Sequence, residues 1–236
     1  MTTARTTFVG EFGNALNASI QRRSFIRIAA LSGIGVMATS LLTACNDNPA
    51  DPSLHSDIDF STPSGALNML LAAAQLNADF ITRVVANPYV GMTTPESTYL
   101  TLIRDRNGAL ITALANIIHK NRLTTVLLFD FTTVDFSSKP TILALAQQFE
   151  DLTVQLVNGC IPLANDPDAA LCLAKAGSVL ARQSAIIRFL TDLPTAGTTQ
   201  FASGLTAEAL FPSLSPVDWY DSTKQYIKTT LTIAQP

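Results

Sequence analysis

The chain of 236 residues has two histidines, one tryptophan and three cysteines, and only 14 % of it is charged. So few imidazoles leave no Ser-His-Asp or Cys-His arrangement at a readable spacing, which argues against nucleophilic catalysis. There is no E-x-x-H pair anywhere. There is also no G-x-x-x-x-G-K-[ST] and no G-x-G-x-x-G, so no loop is built to cradle phosphate. The net charge is −3, and beyond Cys45 there are 11 basic against 17 acidic residues with no basic cluster. Such a body has no electrostatic footprint for nucleic acid. His55 sits in a Pro- and Asp-rich stretch and reads as a solvated linker residue. His119 falls at a predicted helix C-terminus, where a partial positive charge is favoured.

Four of the fifteen basic residues lie in the first 27 positions. Gln21-Arg22-Arg23-Ser24-Phe25-Ile26-Arg27 resembles a twin-arginine export signal, with Arg22, Arg23 and Phe25 as its carrying residues. Residues 28–44 form a short, weakly apolar run that suits a signal peptide better than a membrane span. The run ends in Leu42-Thr43-Ala44-Cys45, which resembles a lipoprotein cleavage box with Cys45 as the lipidated residue. The other reading is an uncleaved N-terminal anchor. Export implies a periplasmic or cell-envelope location, held to the membrane through the N-terminal lipid. Residues 45–63, rich in Asn, Asp, Pro and Ser, read as a flexible tether.

Beyond the tether the apolar residues recur at helical spacing. A first helix is expected over Ser64–Val85, with Leu67, Leu70, Ala74, Ile81 and Val84 on one seam and Asn77 among them; Ser64 is its candidate N-cap. A second is expected over Pro95–Lys120, started by Thr94-Pro95-Glu96, with Asn107 interrupting the stripe of Ile103, Leu110, Leu114, Ile117 and Ile118. The third runs from Pro140 to Gly159, where Asn158-Gly159 stops it. Its two apolar rows enclose one carboxylate, Glu150. The fourth runs Pro167–Leu190, with Gln183 on the seam of Leu173, Ala176, Leu180 and Ile187. The 19 residues between the second and third helices carry Val126–Phe131 and Phe136. They are long enough for a crossover between parallel helices, with aromatics packed on the end of the bundle. Residues Ser215–Ile233 hold Trp219, Tyr220 and Tyr226 and suit a short fifth helix.

Each of the four long helices thus places one polar side chain on an apolar seam. Asn77, Asn107, Glu150 and Gln183 are candidates for a hydrogen-bonded network at the centre of the bundle, because buried amides are tolerated only when paired. Alternatively each amide merely sets helix register, and a register error of one would leave Glu150 in solvent. Cys160 and Cys172 flank the loop between the third and fourth helices. An exported compartment permits a disulfide between them, worth roughly 2–3 kcal/mol through loop closure; the alternative is two buried thiols.

Several segments carry a family resemblance. Leu76-Asn77-Ala78-Asp79-Phe80 resembles L-E-A-x-F. Leu128-Phe129-Asp130-Phe131 with Phe136 resembles a D-F…F connection. Ala144 to Val154 resembles L-A-x-x-x-E-x-x-x-V, and Ala181 to Arg188 resembles E-A-R-H-A-A-x-x-R without its E and H. Over about residues 57–190 the chain is similar to the exported ferritin-like family of the desiccation-associated type. The resemblance implies an all-α, ferritin-like four-helix bundle over residues 64–190, with a long connection between helices 2 and 3 and an extension over 191–236. It also implies a di-metal centre of Glu and Glu-x-x-His ligands. The matching positions here read Asn77, Asn107 with Leu110, and Leu180 with Gln183; only Glu150 remains, or Asp105 as well if the second helix is shifted. One carboxylate among amides does not offset the charge of a divalent pair. The expectation is a non-catalytic, lipid-anchored envelope protein that binds an unidentified protein or small molecule or serves structurally, with no metal or other cofactor. The alternative is a metal-binding oxidase or storage protein with a reduced site.

Overall fold

The computed structural model describes residues 55–118, 127–192 and 212–234. Arg22, Arg23, Phe25, Cys45 and His119 lie outside the described residues. The described chain is an all-α bundle of four long helices, with a short fifth helix and one small sheet. The long helices are α1 (Gly65–Ala86), α2 (Thr94–Ile118), α3 (Lys139–Cys160) and α4 (Pro167–Asp192); α5 spans Pro216–Thr223. All four long helices agree with the seams read from the spacing. The α1–α2 and α3–α4 pairs pack most extensively, and α1 also crosses onto α3.

Burial follows the stripes. Leu67, Leu70, Ala74, Asn77, Ile81 and Val84 of α1 are all buried, as are Ala169, Leu173, Ala176, Leu180, Gln183, Ile187 and Leu190 of α4. On α2 the seam narrows: Ile103, Asn107, Leu114 and Ile118 are buried, while Leu110 and Ile117 are only half-buried.

The helix starts differ from expectation in detail. Ser64 precedes α1 but its side chain caps nothing; its hydroxyl meets Thr62 Oγ1 at 3.2 Å instead. The cap of α2 is Thr93, one residue before the expected Thr94. Thr93 N and Oγ1 donate to Glu96 Oε2 at 2.8 and 3.0 Å, and Glu96 N reaches back to Thr93 Oγ1 at 3.4 Å. This is a capping box, T-x-x-E, in which each residue satisfies the other's free donor. Glu96 is buried and also pairs with Lys139 at the start of α3. Burial alone would raise its carboxyl, but Lys139 and the Thr93 donors hold it below the ordinary range. The turn before it needs Gly91, whose φ of +80° suits no bulky side chain.

The connection into α3 packs as its aromatics require. Phe131 packs against Phe80 with the rings tilted by 59° and 5.4 Å between centroids, and Phe80 meets Phe149 edge-on at 5.2 Å. Phe136 joins the cluster 5.8 Å from Phe80. Such pairs add about 0.5–1.5 kcal/mol each beyond area burial.

Three expectations are corrected. The first is the tether. The chain is already folded at His55: β1 (His55–Asp59) pairs in parallel with β2 (Thr230–Ala234), Ile58 opposite Ile233. Ser56, Ile58 and Phe60 turn inward. The alternation was there in Ser56-Asp57-Ile58-Asp59-Phe60, hidden by its Asp and Ser content, and its partner lies far along the chain. Likewise, the segment expected as one short helix to Ile233 is α5, a 3₁₀ turn over Lys224–Tyr226 and then β2.

The second correction is the end of α3. Gly159 does not stop the helix, which continues through Cys160. A Cβ at Gly159 would lie 2.0 Å from Leu214 O, and Leu214 N donates to Gln155 O at 3.0 Å. Gly159 is there so that another backbone can lie on the helix. Gly159→Ala is expected to displace Leu214 and cost about 1–3 kcal/mol, read as a lower melting temperature together with faster proteolysis within residues 212–234. Unchanged stability and proteolysis would contradict this docking.

The third correction is the disulfide. Cys160 and Cys172 are free thiols. Because α3 runs one residue past Gly159, Cys160 lies in a helical turn facing the core, not in the loop, and is fully buried. Burial pushes its thiol up to about 12, and raises Cys172 as well. Neither is a reactive thiolate at neutral pH.

The segment after Ser215 ties the bundle's end together. Asp130 N donates to Tyr226 O at 2.9 Å and Lys228 N to Leu128 O at 2.8 Å. Leu128 N donates to Thr229 Oγ1 at 2.9 Å, and the Phe131 and Tyr226 rings stack at 5.7 Å. Residues 128–131 of the α2–α3 connection are thereby held against the C-terminal segment.

Candidate functional site

All four seam residues are buried, and three of them are joined at the centre. Gln183 Nε2 on α4 donates to Asn107 Oδ1 on α2 at 3.0 Å, and Asn107 Nδ2 donates to Glu150 Oε1 on α3 at 3.3 Å. This is a directed chain in which each amide gives its N–H forward. Asn77 on α1 is not joined to Glu150 directly. Its Nδ2 donates to Thr153 Oγ1 at 3.2 Å, and Thr153 Oγ1 donates to Phe149 O at 2.8 Å. Asn77, Asn107, Glu150, Thr153 and Gln183 are each at most 1 % exposed.

The helices place these groups for a simple reason. On α3, Glu150 and Thr153 are three residues apart and share a face. Asn77 and Asn107 take the inward position of their stripes, so each apolar seam carries them to the axis. The register of α2 is fixed by Asn107, which is buried; Asp105 is exposed and paired with its neighbour Arg104. Asp79 likewise faces outward, with Arg83 at 2.8 Å.

Burial dominates the electrostatics. It pushes the Glu150 carboxyl up to about 7; the Asn107 hydrogen bond works against the shift and the negative charge of Asp151 adds to it. Glu150 Oε2 and Asn77 Oδ1 have no donor. Among the described residues no three or more of His, Cys, Asp and Glu gather in a group that a metal ion would need.

A second polar cluster lies beside the first and was not foreseen. Asp151, next to Glu150, accepts from Ser184 Oγ through one oxygen and from Arg188 through the other. Ser184 is buried and the other two side chains are largely so, at 15 % and 8 % exposure. Asp151 and Arg188 stand in two of the four segments that carry the family resemblance. The signal was therefore present, but which acid faces which base across two helices is not readable from spacing.

Chemically, the centre holds one carboxylate poised near neutrality, three amides and a hydroxyl. It can hold a proton and small hydrogen-bonding species. It offers no imidazole and no nucleophile with a neighbouring base.

A family model described as ferritin-like domain matches residues 64–192. No curated protein and no solved structure matches the chain.

Proposed function

This chain belongs to the ferritin-like domain family, and we propose that it is an exported, lipid-anchored member that has exchanged the di-metal centre for a hydrogen-bonded polar one. It acts as a non-catalytic envelope protein with a binding or structural role. The observation that carries this reading is the run Gln183→Asn107→Glu150, with Asn77 on Thr153. The family's fold implies a metal pair, and these residues do not fit one. Hard divalent ions require several anionic oxygens, whereas the centre has one carboxylate, and one of its oxygens is already taken by an amide N–H. An amide that donates to the carboxylate points hydrogen, not a lone pair, at the space an ion would occupy.

Export and anchoring rest on residues 21–45: the arginine pair Arg22-Arg23, then Phe25, the weakly apolar run and Leu42-Thr43-Ala44-Cys45. A diacyl group on Cys45 would supply the two chains that stable anchoring takes. β1 begins at His55, and residues 46–54 lie between it and Cys45 in the sequence.

Two measurements on the purified full-length protein test this. Elemental analysis is expected to find iron, manganese and zinc far below one per chain, and Cys45→Ala is expected to move the protein from the membrane fraction to the soluble fraction. Roughly stoichiometric iron, manganese or zinc would instead favour a metal-binding oxidase or storage protein with a reduced site. Membrane retention of Cys45→Ala would favour an uncleaved anchor.

A further inference from the structure

Two oxygen atoms at the centre, Glu150 Oε2 and Asn77 Oδ1, are buried with no donor among the described residues. The amide of Asn77 cannot simply be turned over to satisfy its oxygen. Thr153 gives its only hydroxyl hydrogen to Phe149 O, so it can only accept from Asn77, and Asn77 must present its NH2. Asn77 Oδ1 is therefore left over by the chemistry of its neighbours. Glu150 Oε1 is occupied by Asn107, which leaves Oε2. Thr153, which holds Asn77, and Glu150 are one turn apart on the same face of α3. The two leftover oxygens thus belong to adjacent turns of the same inward face of α3. A buried acceptor without a donor is costly, and a polar pair of this kind is the setting in which proteins keep a single small guest.

We propose that the bundle centre is a binding site for one water-sized hydrogen-bonding species that bridges Glu150 Oε2 and Asn77 Oδ1. Water and ammonium share this chemistry. With Glu150 ionised, the guest donates to both oxygens. With Glu150 neutral, water accepts from the carboxyl hydrogen and still donates to Asn77; ammonium has no lone pair, can only donate, and is therefore the guest of the ionised carboxylate alone. A carboxyl raised to about 7 makes both states accessible. The proposal rests on the polar-centre part of the function proposed above and is independent of export and lipidation.

The test is a crystal structure of the full-length protein, with ¹⁷O relaxation dispersion in solution to count long-lived waters. Density within hydrogen-bond reach of both oxygens supports the site. ¹⁵N-ammonium added to the protein then separates the sources: a protected N–H signal marks ammonium, and a long-lived water without that signal marks water. Asn77→Leu is expected to lose one long-lived guest; should that variant not fold, Glu150→Met provides the same loss. Direct contact of Glu150 Oε2 with Asn77 Oδ1 and nothing between them overturns this site alone. So does an unchanged guest count in a folded variant. A metal ion at the centre overturns both this site and the metal-free reading of function.

Discussion

Glu150→Gln is expected to remove most of the dependence of stability on pH between about 5 and 8. In the folded protein burial raises the Glu150 carboxyl from 4.5 to about 7. The folded state therefore keeps a proton that the unfolded chain releases. With the folded value above the unfolded one, the stabilisation is fully present below about 4.5 and is lost as pH rises through 7. Across that window the native chain should lose on the order of 2–3 kcal/mol from this one group. Gln is the same shape as the neutral acid, accepts from Asn107 equally well and cannot ionise. The variant should match the native protein near pH 5 and exceed it near pH 8. The carboxyls of Asp59, Asp130 and Asp135 are shifted the other way by their hydrogen bonds. Their contributions fade only on acidification, below this window. Chemical denaturation of both proteins at several pH values checks the prediction. Parallel curves would mean that Glu150 is not held neutral by burial.

Arg188→Met is expected to be strongly destabilising. It leaves the Asp151 carboxylate between α3 and α4 with only Ser184 as a partner. Removing one member of a buried ion pair costs about 3–5 kcal/mol, because the remaining charge stays desolvated; the partial exposure of Asp151 places this pair toward the low end. The double variant Asp151→Leu/Arg188→Met should recover part of that loss, since well-packed apolar side chains can replace a buried pair. Denaturation midpoints of the two variants decide it. A cost of only a few tenths of a kcal/mol would put the pair in the class of exposed salt bridges. The contrast with Glu150 is instructive. Two adjacent acids on α3 have different partners: Asp151 meets a guanidinium and a hydroxyl, and Glu150 meets an amide.

The bundle was legible because a helix declares its buried face through a period of three to four residues. The apolar seam positions of α1 and α4 needed no partner to be identified; what needed partners was every exception. Thr153 lies on the inward face of α3 by its spacing from Glu150, and only its hydroxyl bonds show that it orients Asn77. Asn158-Gly159 has the composition of a helix stop, yet the glycine serves Leu214 from 55 positions away. Asp151 and Arg188 were each in view, but pairing across two helices depends on rotation about both axes.

The sequence alone determined the four helices, their inward faces and the identity of the side chains at the axis, since periodicity and residue type are local properties. It also carried the leader and lipid-site resemblance, which is written in adjacent residues. Only the tertiary structure decided that the central amides point their hydrogens in one direction, that the two thiols stay apart, and that His55–Asp59 closes against Thr230–Ala234. Those outcomes depend on contacts between residues far apart in the chain, where loop-closure entropy and competing partners, not local spacing, choose the winner.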